Sequence, residues 1–261
     1  MKTNFTLRAF SQLGIAAILA LGASAGTISA HAADGAEAQH PAVKRAFSAP
    51  PPADLTYVIK AKQHGITING TATVQWRAGD GKYSVAAESR APIFGKILET
   101  RSEGAIDDYG LAPLSFMEKR FRKEPTTASF KRDTKTISFS VGDETYPIKG
   151  GEQDRLSIQW QLAANARATP EKFKPGSEWA YFVAARRNAE QWVFKVVKSE
   201  TISVGGSDIS ALHLVRQTAD DKDSQVDLWL APTLDWYPVR VVFKDADGDY
   251  VDQTLDKFTK K

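Results

Sequence analysis

The sequence predicts a mainly β protein: an antiparallel meander that forms an open or closed β-barrel, with one helix packed across it. Three observations predict this. From Leu55 onward, apolar and polar residues alternate over most of the chain, which is the period of a half-buried strand. Glycine-bearing turn signals separate these runs at short spacing, the pattern of barrels and sandwiches. A single segment, between Gly150-Gly151 and Pro170, carries helical spacing instead.

The chain begins with the three parts of a secretory signal at residues 1–33. Lys2 and Arg8 form a positive start, Leu13 to Leu21 is an uncharged apolar run, and Ala30-His31-Ala32 offers small residues where a signal peptidase reads. The run fades into Gly22, Ser24 and Gly26, short of the roughly 20 apolar residues of a membrane span. With no cysteine in the chain, a lipoprotein anchor has no attachment point. The expectation is a periplasmic protein with no membrane span after cleavage. Residues 34–54 hold few large apolar side chains and contain Pro50-Pro51-Pro52, so a disordered or extended leader is expected there. A single domain is expected over 55–261.

Leu55, Tyr57, Ile59 and Ala61 set the inward phase of the first strand. After a His64-Gly65 turn, Ile66, Ile68, Gly70, Ala72, Val74 and Trp76 continue it. Asp80-Gly81 supplies the positive φ values of a tight hairpin, leading into Tyr83, Val85 and Ala87. Further inward runs are Ile137-Phe139-Val141, Trp179-Tyr181-Val183, Trp192-Phe194-Val196 and Ile202-Val204. Gly205-Gly206 then turns the chain back through Leu212 and Leu214. The remaining runs are Val226-Leu228-Leu230 and Tyr237-Val239-Val241-Phe243, and Asp247-Gly248 turns the last hairpin. In the helical segment Leu156, Trp160 and Ala163 share a stripe with Ile158 and Leu162 beside it. Asp154 stands where a carboxylate accepts unpaired amides at a helix start.

Composition excludes several functions. Zero cysteines remove thiol catalysis, disulfides, Cys-ligated zinc and iron–sulfur clusters. A net charge of +3 with interspersed signs is no nucleic-acid footprint. No cofactor or metal motif is present: Asp245, Asp247 and Asp249 resemble part of a calcium loop but lack its glycine and glutamate positions. His31 and His40 fall in the signal and leader. His64 sits in a turn and His213 between Leu212 and Leu214, with no partners placed by sequence.

Gln153-Asp154-Arg155-Leu156-Ser157, Leu228-Trp229-Leu230-Ala231-Pro232 and Tyr237-Pro238-Val239-Arg240 resemble the bacterial exported family called domain of unknown function 3108 (DUF3108). Leu111-Ala112-Pro113 with Phe116 and Glu118-Lys119-Arg120 fits the same pattern, in the same order, from about Leu55 to Lys257. The resemblance implies an exported, all-β, barrel-like fold and no assigned reaction. The tryptophan strand followed by Pro-Val-Arg is also similar to half-barrels that carry lipoproteins or lipids across the periplasm.

The candidate binding residues are Lys119, Arg120 and Arg122, with Asp154 and Arg155; no catalytic residue is named. On a strand, Arg120 and Arg122 would share one face, and clustered cations with Phe121 can hold a phosphate, a lipid headgroup or an acidic glycan. A charge-protected edge strand is the bland alternative. Asp154 and Arg155 are expected to cap the helix or to pair within the barrel. The expected function is therefore non-enzymatic binding of an envelope lipid, glycan or partner. The rivals are an enzyme using carboxylates such as Glu99, Glu103 or Asp154, and a scaffold without ligand. Whether the barrel interior is filled or hollow separates these readings.

Overall fold

The computed structural model describes residues 40–218 and 224–261; the expected signal at 1–33 and the start of the leader lie outside them. Two meanders build one sheet. The first comprises β1 (Ala53–Gln63), β2 (Ile66–Gly79), β3 (Lys82–Ala91), β4 (Gly95–Asp107), β5 (Gly110–Arg120), β6 (Thr126–Lys131), β7 (Thr136–Phe139) and β8 (Thr145–Pro147). The second comprises β9 (Gln153–Asp154), β10 (Glu178–Ala184), β11 (Ala189–Val204), β12 (Ser207–Gln217), β13 (Gln225–Ala231), β14 (Tyr237–Lys244) and β15 (Tyr250–Lys260). Antiparallel pairing of β1 with β15 joins the two runs, and only β9 with β10 is parallel. β8 and β9 are the unpaired ends of the sheet, so the barrel is open.

The hairpins follow their turn residues. His64 and Gly65 take φ of 47° and 80°, and Asp80 and Gly81 take 50° and 71°, the mirror-image turn that matches strand twist. In the last hairpin the Asp245 carboxylate accepts the N–H groups of Asp247 and Asp249 at 3.1 and 2.9 Å, as a turn aspartate does. The inward phase holds for Leu55, Tyr57, Ile59, Ala61, Ala72, Val74, Trp76, Tyr83 and Val85, all buried. It fails at two strand ends. Ile66 is 53% exposed at the start of β2, and Val141 lies beyond the end of β7.

The single helix, α1 (Ser157–Ala168), lies in the concave face against β5, β9 and β14. Its apolar stripe is as expected, with Ile158, Trp160, Leu162 and Ala163 buried. The opposite stripe is buried as well. Ser157, Gln161 and Asn165 recur every fourth residue and are all shielded, so each requires a partner. Gln161 Oε1 accepts the Leu111 N–H at 2.8 Å, its amide nitrogen donates to Tyr109 O at 3.1 Å, and Asn165 Oδ1 accepts the Tyr181 hydroxyl at 2.8 Å. A helix buried on both stripes acts as a plug.

Of the two expected states of the leader, disordered or extended, the extended one holds from His40 on, and the segment is held in place. The Asn165 amide donates to Ala46 O at 2.6 Å and the Ser48 N–H donates to Ala164 O at 3.1 Å. Further along, the Trp76 indole N–H donates to Pro50 O at 2.9 Å, and the Tyr237 hydroxyl donates to Pro51 O at 2.8 Å. Prolines suit this role, because they keep the chain extended and offer carbonyls. The segment straps α1 into the sheet.

Candidate functional site

The site is built from the last inward residues of β3, β4 and β5 and the start of α1. Phe116 and Glu118 share the inward phase of β5, and Glu118 is only 3% exposed. A buried carboxylate needs a cation, and Arg120 supplies it two residues on, Nε to Oε1 at 2.6 Å. Arg122 does not join them. β5 ends at Arg120, and Arg122 sits in the following turn at φ 53° with its guanidinium 4.8 Å from the Phe121 ring. The expectation that Arg120 and Arg122 share a face is therefore corrected. Lys119 points outward, opposite Glu99 of β4.

Asp154 and Arg155 precede the helix instead of lying on it. Asp154 is fully buried in β9. Its Oδ1 accepts the N–H groups of Leu156 and Ser157, both at 2.8 Å, and its Oδ2 accepts the Ser102 hydroxyl at 2.5 Å. The Ser102 and Tyr83 hydroxyls share a further bond at 2.9 Å. Burial pushes the Asp154 carboxyl up to about 6, against the pull of these donors. Asp154 closes the helix start and offers nothing to a ligand.

Arg155 does the opposite. Its N–H donates to Ala184 O at 3.2 Å, which fixes its backbone to β10. Its half-buried side chain lines a cavity of about 80 Å³, the volume reachable by the centre of a water molecule. Among the described residues, its guanidinium has no hydrogen bond and no ion pair. The cavity's apolar wall includes Tyr57, Leu98, Phe116, Trp160, Val241 and Phe243; Glu118, Gln159 and Gln253 add polar groups. Burial lowers the Arg155 pKa; Glu118 and Glu190 oppose this, while Arg120 and Arg216 reinforce it. Arg186, in the turn between β10 and β11, is lowered by burial too, with Arg120 and Arg187 adding to the effect and Glu118 opposing it. Its Nε is buried without a hydrogen-bond partner. Arg120, Arg155 and Arg186 thus lie within electrostatic reach of Glu118, and Arg155 also of Glu190. Guanidiniums stay charged in such surroundings.

Sequence reasoning singles out Arg120 and Arg155 but not Glu118, which pairs with Arg120, nor Arg186. Nothing marks Arg186 in the sequence, since only the curl of the sheet brings its turn to β5. His40 is also missed as part of the fold. It stacks on Phe182 at 4.3 Å, and its Nε2 lies 3.0 Å from the fully buried Glu152. Burial raises the Glu152 pKa, but His40 and the Gly150 and Lys149 amides outweigh it and hold the carboxyl below its usual range. His213 stacks on Trp229 at 4.1 Å, with Asp227 Oδ1 2.8 Å from its Nε2. Glu99 and Glu103 lie on the outward phase of β4, and Asp154 lies inside, so these carboxylates do not face one another. Among the described residues, no group of three His, Cys, Asp or Glu side chains gathers as a metal donor set, and no helix is long and apolar enough to cross a membrane.

Fold and cavity together define a class: open β-barrels with a helix lodged in the concave face. Within it, the chain belongs to the family described as protein of unknown function DUF3108, matched over residues 55–256. A β-barrel-like protein of domain of unknown function DUF1849 from Brucella abortus shares the fold. It has a TM-score of 0.55 at 12% identity, covering 84% of this chain and 100% of that one. A domain described as an outer membrane lipoprotein-sorting protein, from Vibrio parahaemolyticus, gives a TM-score of 0.35 at 9% identity, covering 88% and 90%. The MucA/MucB complex of Pseudomonas aeruginosa gives 0.32 at 12% identity, covering 80% of this chain and 51% of that one. No curated protein sequence matches the chain.

Proposed function

We propose that this is an exported, non-enzymatic binding protein of the bacterial envelope that takes the anionic end of an amphipathic molecule at the Arg155 cavity. The observation that carries the reading is the Arg155 guanidinium, which lines an apolar cavity with no bonding partner among the described residues. A half-buried guanidinium with no hydrogen bond keeps unmet bonding capacity, and sites that hold ligands are where such a cost is kept. A carboxylate or phosphate head would bond Arg155, and an adjoining methylene stretch would lie on Leu98, Val241 and Phe243.

The cavity sets the scale of what enters. At about 80 Å³ it takes a head group and a short apolar stretch, while α1 fills the rest of the concave face. A long acyl chain must leave through the mouth. Export is inferred from the signal pattern at residues 1–33. The test is titration of residues 34–261 with a fluorescent fatty acid, its neutral alcohol analogue and a panel of acidic glycans. Saturable binding of the fatty acid, weaker for the alcohol and lost in Arg155→Met, supports the reading. No saturable binding of any probe overturns it.

A further inference from the structure

The end of the barrel that carries the cavity also carries an exposed apolar tip. Ser89 pairs with Leu98, and Leu98 with Arg120. Ser89 and Leu98 line the cavity, and this register lies within four residues of the hairpin turns. In the β3–β4 turn Ile93 is 87% exposed and Phe94 is 37% exposed. Phe94 meets Phe121 of the β5–β6 turn edge-on, with ring centroids 6.2 Å apart. The Phe121 N–H donates to Ile97 O at 2.8 Å, which fixes the start of the β5–β6 turn to β4. The tip is therefore a built feature of two tied hairpins.

Single exposed apolar residues need no explanation. A tied aliphatic and aromatic tip ringed by free cations does. Lys119, Arg122 and Lys123 are exposed beside it and make no ion pair among the described residues; Glu124 is the one acidic residue of the turn. Arg187 is exposed in the β10–β11 turn, close enough for Arg186 beside it to feel Arg120. The Asp245–Asp249 turn stands at the same end of the sheet, in another sector, where the Asp245 and Asp249 carboxylates are engaged by backbone N–H groups and Asp247 is exposed.

We propose that this sector docks the protein on an anionic bilayer surface, with Ile93 and Phe94 entering the interface and Lys119, Arg122 and Lys123 meeting lipid phosphates. Apolar side chains that enter the acyl boundary and cations that stay at headgroup depth are the two elements of interfacial binding. Because Ser89, Leu98 and Glu118 of the cavity wall lie toward this end, a docked protein brings the cavity close to the bilayer. The docking itself does not depend on what the cavity holds.

The test is co-sedimentation of residues 34–261 with vesicles of phosphatidylcholine alone, and of phosphatidylcholine and phosphatidylglycerol in equal parts. The wild-type protein is expected to sediment with the anionic vesicles and to be released by salt. Ile93→Ser with Phe94→Ser is expected to lower the bound fraction about tenfold. Arg122→Glu with Lys123→Glu is expected to erase the preference for anionic vesicles. All four side chains are in exposed turns, and an unchanged circular dichroism melt confirms folding. Failure of the wild type to bind anionic vesicles overturns the proposal, as does equal binding by the Ile93/Phe94 variant. Neither result bears on fatty-acid binding at Arg155.

Discussion

Trp160 of α1 lies flat on Trp76 of β2, ring centroids 4.3 Å apart and planes 6° from parallel, with Tyr237 edge-on to Trp160 at 6.2 Å. This stack joins the plug to the wall and makes the interior largely a packed core. The helix is thus a structural member, and the cavity beside it is the space it leaves. Trp160→Ala is expected to cost about 3–5 kcal/mol. Urea unfolding followed by tryptophan fluorescence checks it, and a loss below about 1 kcal/mol would show that the plug contributes little.

Arg155→Met separates stability from binding. The guanidinium makes no hydrogen bond or ion pair among the described residues, and exchanging this desolvated charge for an apolar side chain of similar length is expected to stabilise the fold by about 1 kcal/mol. The variant is expected to melt higher than the wild type while losing at least about tenfold in fatty-acid affinity. A lower melting temperature would instead assign Arg155 a structural bond.

Much of this arrangement is legible in the sequence, and the boundary of what is legible has a physical cause. Alternation at Leu55–Ala61 and Ala72–Trp76, turn chemistry at His64-Gly65 and Asp80-Gly81, and the Leu156-Trp160-Ala163 stripe are local signals. They predict a barrel, open or closed, with one helix; that it is open rests on where β8 and β9 end the sheet. The Ser157-Gln161-Asn165 stripe has helical spacing too, yet a polar stripe ordinarily means solvent. Its burial depends on Leu111, Tyr109 and the strap, all distant in sequence. Arg120 and Arg122 show a different limit: their relation turns on where β5 stops, and strand ends are weakly encoded. Arg186 meets Glu118 and Arg120 only because the sheet curls. His40 looked like leader because its partners, Glu152 and Phe182, come together only in the fold.

Asp154 gives the protein a pH signature. Its folded pKa of about 6 lies above the 3.8 of an ordinary aspartate, so the folded state binds the proton more tightly. The resulting stabilisation is complete below about pH 4 and is lost as pH rises through about 6, a change on the order of 2–3 kcal/mol. In Asp154→Asn the amide has no proton to lose. The Ser102–Tyr83 hydroxyl chain can reverse to accept from it, so folding is retained. Stability measured from pH 4 to 7 is expected to fall in the wild type more than in the variant. Parallel curves for the two proteins would refute the assignment.

The strap makes the last distinction. If residues 40–50 were a free leader, deleting them would leave the domain's stability unchanged. In the structure they carry the acceptors for Asn165, at Ala46 O, and for the Trp76 indole N–H, at Pro50 O. They also bring Phe47 and Ala49 onto the core and seat His40 on Glu152. Losing these bonds and this contact area is expected to cost about 3–5 kcal/mol, about 1 kcal/mol for each bond and the remainder from apolar burial. At this chain length that lowers the melting temperature by about 10 °C. The measurement is a pair of calorimetric scans, on residues 34–261 and residues 51–261. Coincident melts would return the segment to the status of a passive leader. A lowered melt in the shorter protein would show that the domain begins at His40, ahead of its first strand.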